Sequence, residues 1–353
     1  MIALYSILLL LYLLQIKSYS KGWSSLSSVA PIKELELSVL VAFRNEEKHL
    51  PLLLSDLENQ NYPLSKVQFI FIDDSSEDKS FEIIKTSSLK IDLISSEGNG
   101  KKAAIERGVA KAKYDIILTT DADCRLTEDW ITSMVSPFTE KDIQLVSGPV
   151  AYHGLDNDFK KVQALEFMSL IGSGAGAIGI QKAFMCNGAN MAFRTSIFSN
   201  TEKEIASGDD VFLLHHVKKN KGKISFAKNQ QAIVSTEPKP TLSGFLNQRK
   251  RWASKTSAYK DASAQWVSLL IFLVNLSFIA LFINKQLFVL TVFYLIKSIV
   301  DFIFLRKLCR FFEYDVPFYV FCILEIIYPF YIVWVAISSQ IGHYSWKGRR
   351  YKK

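Results

Sequence analysis

Apolar residues crowd into two blocks near the ends of this 353-residue chain, residues 1–16 (MIALYSILLLLYLLQI) and much of 266–341. A helix of about 20 apolar residues matches the hydrocarbon thickness of a bilayer, so blocks of this kind are expected to sit in a membrane. The intervening section has the composition of an ordinary water-soluble domain. The first block has no Lys or Arg ahead of it, and residues 19–23 offer no small-residue cleavage site, so it reads as an uncleaved anchor rather than a signal peptide. The expected organisation is an anchor over 1–18, a Ser-rich linker over 19–36, a soluble domain over 37–240, an amphipathic segment over 241–262, membrane helices over 263–342 and a basic tail over 343–353.

Charge and cysteine usage orient this arrangement. The net charge is +8, with the excess beside the apolar blocks: Arg249, Lys250, Arg251, Lys255 and Lys260 on one flank, Lys347, Arg349, Arg350, Lys352 and Lys353 on the other. Basic residues flanking membrane spans favour the cytoplasmic side and meet anionic lipid there. The middle section carries no basic stripe interleaved with aromatics, so nucleic acid is not an expected partner. Cys124, Cys186, Cys309 and Cys322 show no metal-like or paired spacing and fit unpaired thiols in a reducing compartment. The soluble domain is therefore expected on the cytoplasmic face of a bacterial-type inner membrane.

The C-terminal block divides into apolar segments at 266–283, 287–305 and 316–341. Lys297 and Asp301, four residues apart, are placed to pair on one helix face. Four spans in all would put the basic tail outside, against the charge rule. Either Pro329 breaks the last segment into a re-entrant hairpin or one segment lies in the interface; a cytoplasmic tail is the expected outcome.

Within the soluble section a cycle repeats. Residues 37–43 (LSVLVAF) form an apolar run of strand length that ends in the polar sequence RNEE, and helical spacing follows at 49–57. Residues 67–72 repeat this before DDSS, with a helix at 78–87. Further strands fall at 91–95 and 116–118, with a loop at 98–100 and a helix at 101–112 between them. Strand, polar turn and helix in alternation predict an α/β fold with a mostly parallel sheet. Ligands of such sheets bind at the carboxyl ends of strands, which is where Glu46, Asp73, Asp74, Asp121 and Asp123 all fall. Asp121 and Asp123, one residue apart at a strand end, are spaced to share a hard divalent cation such as Mg or Mn, although such pairs also occur as solvated turns. Lys101, opening a helix, adds a cation beside a helix amino terminus suited to phosphate.

Downstream, a strand is expected at 143–149 and a helix at 159–171. Gly172, Gly174, Gly176 and Gly179 then give either a flexible loop over the site or a small-residue helix packed closely on another. Residues 186–194 (CNGANMAFR) read by themselves as a Gly-containing turn before a strand. Ser207-Gly208-Asp209-Asp210 precedes a helix at 211–217, where Asp is a favoured N-terminal cap. His215 and His216 fall on that helix's surface. Phe245, Trp252 and Tyr259 recur every seven residues in 241–260, which reads as one helix in the membrane interface.

In order, VAFRNEE, FIDDSSED, GKKAAIERG, TTDADC, CNGANMAFR, GDD and QRKRW cover residues 37–252, nearly two thirds of the chain. The series resembles an inverting family 2 glycosyltransferase of GT-A fold, in the membrane-bound branch that includes ceramide glucosyltransferases and cellulose, chitin and hyaluronan synthases. The resemblance implies that Asp73 and Asp74 hold the uracil and ribose of a UDP-sugar, that Phe43 and Glu46 flank the base, and that Lys101 neutralises the nucleotide. It assigns Asp121 and Asp123 to a divalent cation, with Asp123 the direct ligand. It assigns the sugar pocket to Asn187, Gly188 and Asn190, and the catalytic base to Asp210 beside Asp209. Gln248, Arg251 and Trp252 match the branch's Gln-x-x-Arg-Trp signature, in which the Arg meets the diphosphate and the Trp lies under the acceptor. Glu106 departs from the pattern, standing where an Asn is common. Three C-terminal helices are too few to enclose a polysaccharide, so transfer of one sugar to a lipid acceptor is expected. A processive synthase and an inactive membrane scaffold are the rivals.

Overall fold

The computed structural model describes residues 2–27, 30–31, 35–96, 100–198, 209–341, 343–346 and 349–352. The chain opens with α1 (Ile2–Ser25), then β1 (Leu37–Phe43), α2 (Leu50–Glu58), β2 (Val67–Asp73), α3 (Ser80–Lys85) and β3 (Ile91–Ser95). It continues with α4 (Lys101–Lys111), β4 (Ile116–Asp121), α5 (Trp130–Val135), β5 (Ile143–Ser147), β6 (Val150–Tyr152), α6 (Asp158–Gly179) and β7 (Asn190–Arg194). After α7 (Thr195–Phe198), α8 (Asp209–Lys219), β8 (Lys223–Phe226) and β9 (Val234–Thr236) come α9 (Leu242–Ala253), α10 (Ala262–Ile283), α11 (Leu287–Phe312) and α12 (Phe318–Ser338). A hairpin of β10 (His343–Trp346) and β11 (Arg349–Lys352) ends the described chain. These elements cluster into a sheet unit, residues 25–153 and 183–237, and a helical unit, residues 1–24, 154–182 and 238–353.

The sheet unit holds seven strands in the order β3-β2-β1-β4-β7-β5-β8. β3, β2, β1 and β4 run parallel, and β7 is antiparallel to both its neighbours. The apolar run of β1 is buried along nearly its whole length, as a strand between two others covered by helices must be. In register, Phe43 lies beside Asp73 and Ala42 beside Asp121. The carboxyl ends of three adjacent strands therefore finish level on one edge. The strand expected over 143–149 stops at Ser147, and after Gly148 and Pro149 the short β6 pairs with β9 in a separate two-stranded sheet.

In the helical unit, α1, α10, α11 and α12 are long and apolar enough to cross a membrane. The anchor helix runs on to Ser25, beyond its expected end at residue 18. Of the two readings of the glycine run, the packed helix is the one formed. α6 is continuous through it, and a Cβ at Gly176 would collide with the backbone of Tyr19 on α1, one at Gly22 with the backbone of Gly176. Two helix backbones meet there because neither carries a side chain.

Pro329 does not divide the last segment: α12 passes through it. A proline inside an apolar bundle helix is tolerated where neighbouring helices re-satisfy the backbone it disturbs. α9 ends at Ala253, so Tyr259 falls outside the helix that carries Phe245 and Trp252. The expected pair of Lys297 and Asp301 forms at 2.7 Å, and Glu325 joins it at 2.9 Å from the same ammonium. Tyr12 Oη donates to Asp301 at 2.7 Å, tying α1 to α11. In the described part of the basic tail β10 pairs antiparallel with β11, and β10 lies against α9.

Candidate active site

The level strand ends of the sheet unit carry the acids, and the turns after β1 and β2 are braced against each other to hold them. Asn45 and Ser75 adopt left-handed backbone, with φ of 53° and 62°. Asn45 N–H donates to Ser76 Oγ at 3.1 Å while its own Oδ1 accepts from Glu77 N–H at 2.8 Å. Glu46 N–H donates to Ser80 Oγ at 2.7 Å, and Asp74 N–H to the Phe43 carbonyl at 2.9 Å. Such strained positions persist only where surrounding bonds over-determine them. Asn45, Ser76 and Ser80 are thus parts of the site's frame that motif reading passed over, although Asn is the residue type that best tolerates this conformation.

The candidate residues divide by what they present. Asp73 Oδ1 accepts from Ser76 N–H at 3.0 Å, and Asp74 Oδ1 from Gly100 N–H at 3.1 Å. Gly100 caps α4 with φ of 96°, a conformation that suits glycine, and so hands Lys101 to the edge. The Lys101 ammonium forms an ion pair with Asp121 Oδ1. Asp123 lies two residues on in the same turn, half-buried, above a buried Cys124. Burial, then the charges of Asp123 and Asp121, push the Cys124 thiol well above its ordinary range. The turn is clamped from behind by Arg125, whose guanidinium grips Asp56 through Nε at 2.7 Å and Nη2 at 2.8 Å, while its backbone bridges to Ser235.

Three expected contacts look different in place. Phe43 is sealed in the core, 2% exposed, its ring 6.3 Å from that of Phe71, so β1 offers the edge its carbonyl rather than an aromatic face. Glu46 is buried and its carboxylate meets His49 Nδ1 at 2.7 Å. Asn190 is fully buried; its amide donates to the Pro149 and Ala232 carbonyls at 2.8 and 2.7 Å and accepts from Trp130 Nε1 at 3.0 Å. With those bonds made, Asn190 holds β7 and its turn in place instead of reaching a ligand. Asn187 Oδ1 accepts from Ala189 N–H at 3.0 Å within the turn that leads into β7.

Asp210 joins the same edge by a short relay. Its Oδ2 accepts from Gly188 N–H at 2.9 Å, and the Gly188 carbonyl accepts from Thr119 Oγ1 at 3.0 Å, two residues before Asp121 on β4. Its Oδ1 accepts from Val211 N–H at 2.9 Å, so the carboxylate also serves the start of α8. A Cβ at Gly188 would stand 3.3 Å from Asp210 Cβ, which is why a glycine fits there. Burial, then the Asp210 charge, push the Cys186 thiol up. Asp209 is the first residue of α8, and Ser207 and Gly208 lie outside the described residues. His215 Nε2 bonds the Phe184 carbonyl at 3.0 Å, and His216 pairs with Asn220.

Among the described residues, no three His, Cys, Asp or Glu side chains gather as a metal site. The donor set still fits a hard cation. Asp121 and Asp123 supply two carboxylates, and Mg²⁺ is ordinarily held by one or two carboxylates with substrate phosphates and waters completing the octahedron. That a lysine ammonium is drawn onto Asp121 is itself a sign that this turn attracts positive charge.

Gln248, Arg251 and Trp252 lie on α9 in the helical unit, each half-buried. Between them Arg249 is buried, its Nε and Nη2 both on the Glu166 carboxylate of α6. Neither Glu166 nor Arg249 stood out in the sequence, since an Arg inside a basic cluster reads as a solvated charge.

A parallel-centred sheet with acids on its carboxyl edge, a paired-Asp turn and a lysine at a helix start is the frame of a nucleotide-binding α/β domain. Residues 38–201 match the model of glycosyl transferase family 2. Glycosyltransferase AglE of Haloferax volcanii is 29% identical over 120 residues, 33% of this chain and 40% of that relative. Poly-beta-1,6-N-acetyl-D-glucosamine synthase of Staphylococcus aureus is 30% identical over 146 residues, 40% of this chain and 35% of that one. The matches thus span well under half the length of these relatives. The mannosyltransferase PcManGT of Pyrobaculum calidifontis, solved with GDP-Man and Mn²⁺, superposes with a TM-score of 0.60 at 16% identity, covering 96% of both chains. The fold is GT-A.

Proposed function

We propose that this chain moves one sugar, with inversion, from a nucleotide-sugar to a lipid acceptor at the cytoplasmic membrane face. The observation that carries the reading is the Asp210–Gly188–Thr119 relay, which ties a carboxylate remote in sequence to the strand that ends in Asp121. Asp210 Oδ2 takes the proton of the acceptor hydroxyl as that oxygen attacks the anomeric carbon from the face opposite the leaving nucleotide; one base suffices and no covalent intermediate is needed. Asp73 and Asp74 accept hydrogen bonds from the nucleoside, and Lys101 exchanges Asp121 for the diphosphate. A divalent cation on Asp121 and Asp123 would offset charge on the departing diphosphate. Gln248, Arg251 and Trp252 serve the diphosphate and the acceptor.

UDP is the donor nucleotide we favour; GDP, carried by the PcManGT complex, is the direct competitor. Purified protein is to be given radiolabelled UDP- or GDP-sugars, Mg²⁺ or Mn²⁺, and total lipid. A chloroform-soluble labelled product is expected. A water-soluble polymer lengthening with time would replace this reading with processive synthesis, and no transfer with any donor would favour the scaffold.

The lie of β10 against α9 supports a tail on the same membrane side as α9. One of α10, α11 and α12 then stops short of a full crossing. A reporter fused after Lys353 should be active only in its cytoplasmic form; the opposite result makes all three full spans.

A further inference from the structure

We infer that the seam between α1 and α11 seats the headgroup of one anionic phospholipid, its phosphate among Lys17, Lys21, Arg306 and Arg310. The inference needs only these two apolar helices and is independent of what the sheet unit catalyses. α1 and α11 run in the same direction, since three contacts climb both helices together: Tyr12 with Asp301, Ser20 with Lys307 and Trp23 with Phe311. The Lys307 ammonium donates to Ser20 Oγ at 2.8 Å, and the Trp23 and Phe311 rings meet edge to face with centroids 5.0 Å apart. The carboxyl-terminal ends of the two helices are therefore level.

That pairing gathers cations from the two ends of the chain. Lys17 and Lys21 stand one helical turn apart on α1, as Arg306 and Arg310 do on α11, so each pair shares a helix face and spans about 6 Å of axis. At about 100° per residue, Lys17 lies about 60° round α1 from Ser20, and Arg310 about 60° round α11 from Lys307 in the opposite sense. On helices running the same way, opposite turns from a shared contact lead to the same outer side. All four cations are exposed, and none pairs with an acid among the described residues. Complementing the negative end of a helix accounts for Arg310 alone, the one basic residue in the last turn of either helix.

The surface beneath the cations identifies the occupant. Leu10 and Leu14 precede Lys17 and Lys21 by close to two turns, and Ile299 and Ile303 precede Arg306 and Arg310 by the same interval, so each lies under a cation. All four are exposed. The face thus offers two apolar rows that end in cations, which matches two acyl chains below one phosphate. A free phosphate would leave the rows unused. The two arginines add planar forks that take phosphate oxygens in pairs.

The test is native mass spectrometry of the full chain in detergent with equimolar palmitoyl-oleoyl phosphatidylglycerol and phosphatidylcholine. Retained phosphatidylglycerol should exceed phosphatidylcholine by about fivefold or more, the order that a single cation contributes at a membrane surface. The variant carrying Lys17→Gln, Lys21→Gln, Arg306→Gln and Arg310→Gln should fall to parity. If it does not fold, the two half-variants, one on α1 and one on α11, should each lower the preference by about twofold or more. A charge-matched control, Lys85→Gln, Lys90→Gln, Lys111→Gln and Lys219→Gln, removes exposed cations of the sheet unit and should keep the preference. Excess inorganic phosphate should leave the lipid bound. Parity in the wild-type chain, a preference that survives loss of all four cations, or an equal loss in the control would overturn the inference. Displacement by phosphate would overturn it too, because the acyl chains would then be holding nothing.

Discussion

The two units treat charge in opposite ways. On the sheet edge, Asp73, Asp74 and Asp210 are held by backbone N–H groups, and Asp121 by the half-exposed Lys101 ammonium. In the helical unit, Glu166 with Arg249 and Lys297 with Asp301 and Glu325 are closed on one another and nearly sealed. Backbone donors orient an anion without cancelling its charge, which leaves it able to bind a cation or take a proton. A full ion pair spends its charge on the partner and supplies position instead. Chemistry is therefore expected to reside on the edge and geometry among the helices.

The sharpest way to break this contrast is Asp210→Asn. The amide can still accept from Gly188, so the fold should survive, while turnover should fall by about 100- to 10,000-fold, the usual worth of a general base. Calorimetry should show nucleotide affinity unchanged; a loss of both would make Asp210 part of the frame only. Next, Glu166→Ala should destabilise the helical unit by about 3–5 kcal/mol, since it strands a buried guanidinium. Thermal unfolding in detergent checks this, and an unaltered midpoint would show that water or lipid already solvates Arg249.

Gly176→Ala should cost about 1–3 kcal/mol, the range for overpacking, because the new methyl meets the backbone of α1 rather than a side chain that can move. The smallest effect concerns Cys124 and Cys186, whose raised folded pKa values make the sheet unit lose stability as pH climbs above the ordinary thiol value of about 8.5 toward the folded ones. Below that value the contribution is fully present. Maleimide at pH 8 should label neither thiol in the native protein and both after denaturation; rapid native labelling would show that the edge opens.

Local order was easy to read from residues and tertiary order was not. The strands ending in Asp73 and Asp121 were legible because a buried parallel strand must be a short apolar run bounded by polar turns. Asn190 was misjudged because an amide in a ligand motif and an amide that braces a turn have the same letter. Only the meeting of β7 with the Pro149 and Ala232 carbonyls separates them. The glycines of α6 were ambiguous for a related reason: missing side chains permit both a loop and a close helix contact, and the nearness of Gly22 decides.

By itself, then, the sequence determined the long apolar helices and the order of strands, turns and acids along the chain, because hydrophobic length, strand period and the paired acids are local properties. Tertiary structure decided which polar groups are spent internally and which are left to act. It closed Arg249 on Glu166 and brought Asp210 to Gly188, pairings that span 83 and 22 residues. A side chain's role depends on its partners, and those partners exist only once the chain has folded.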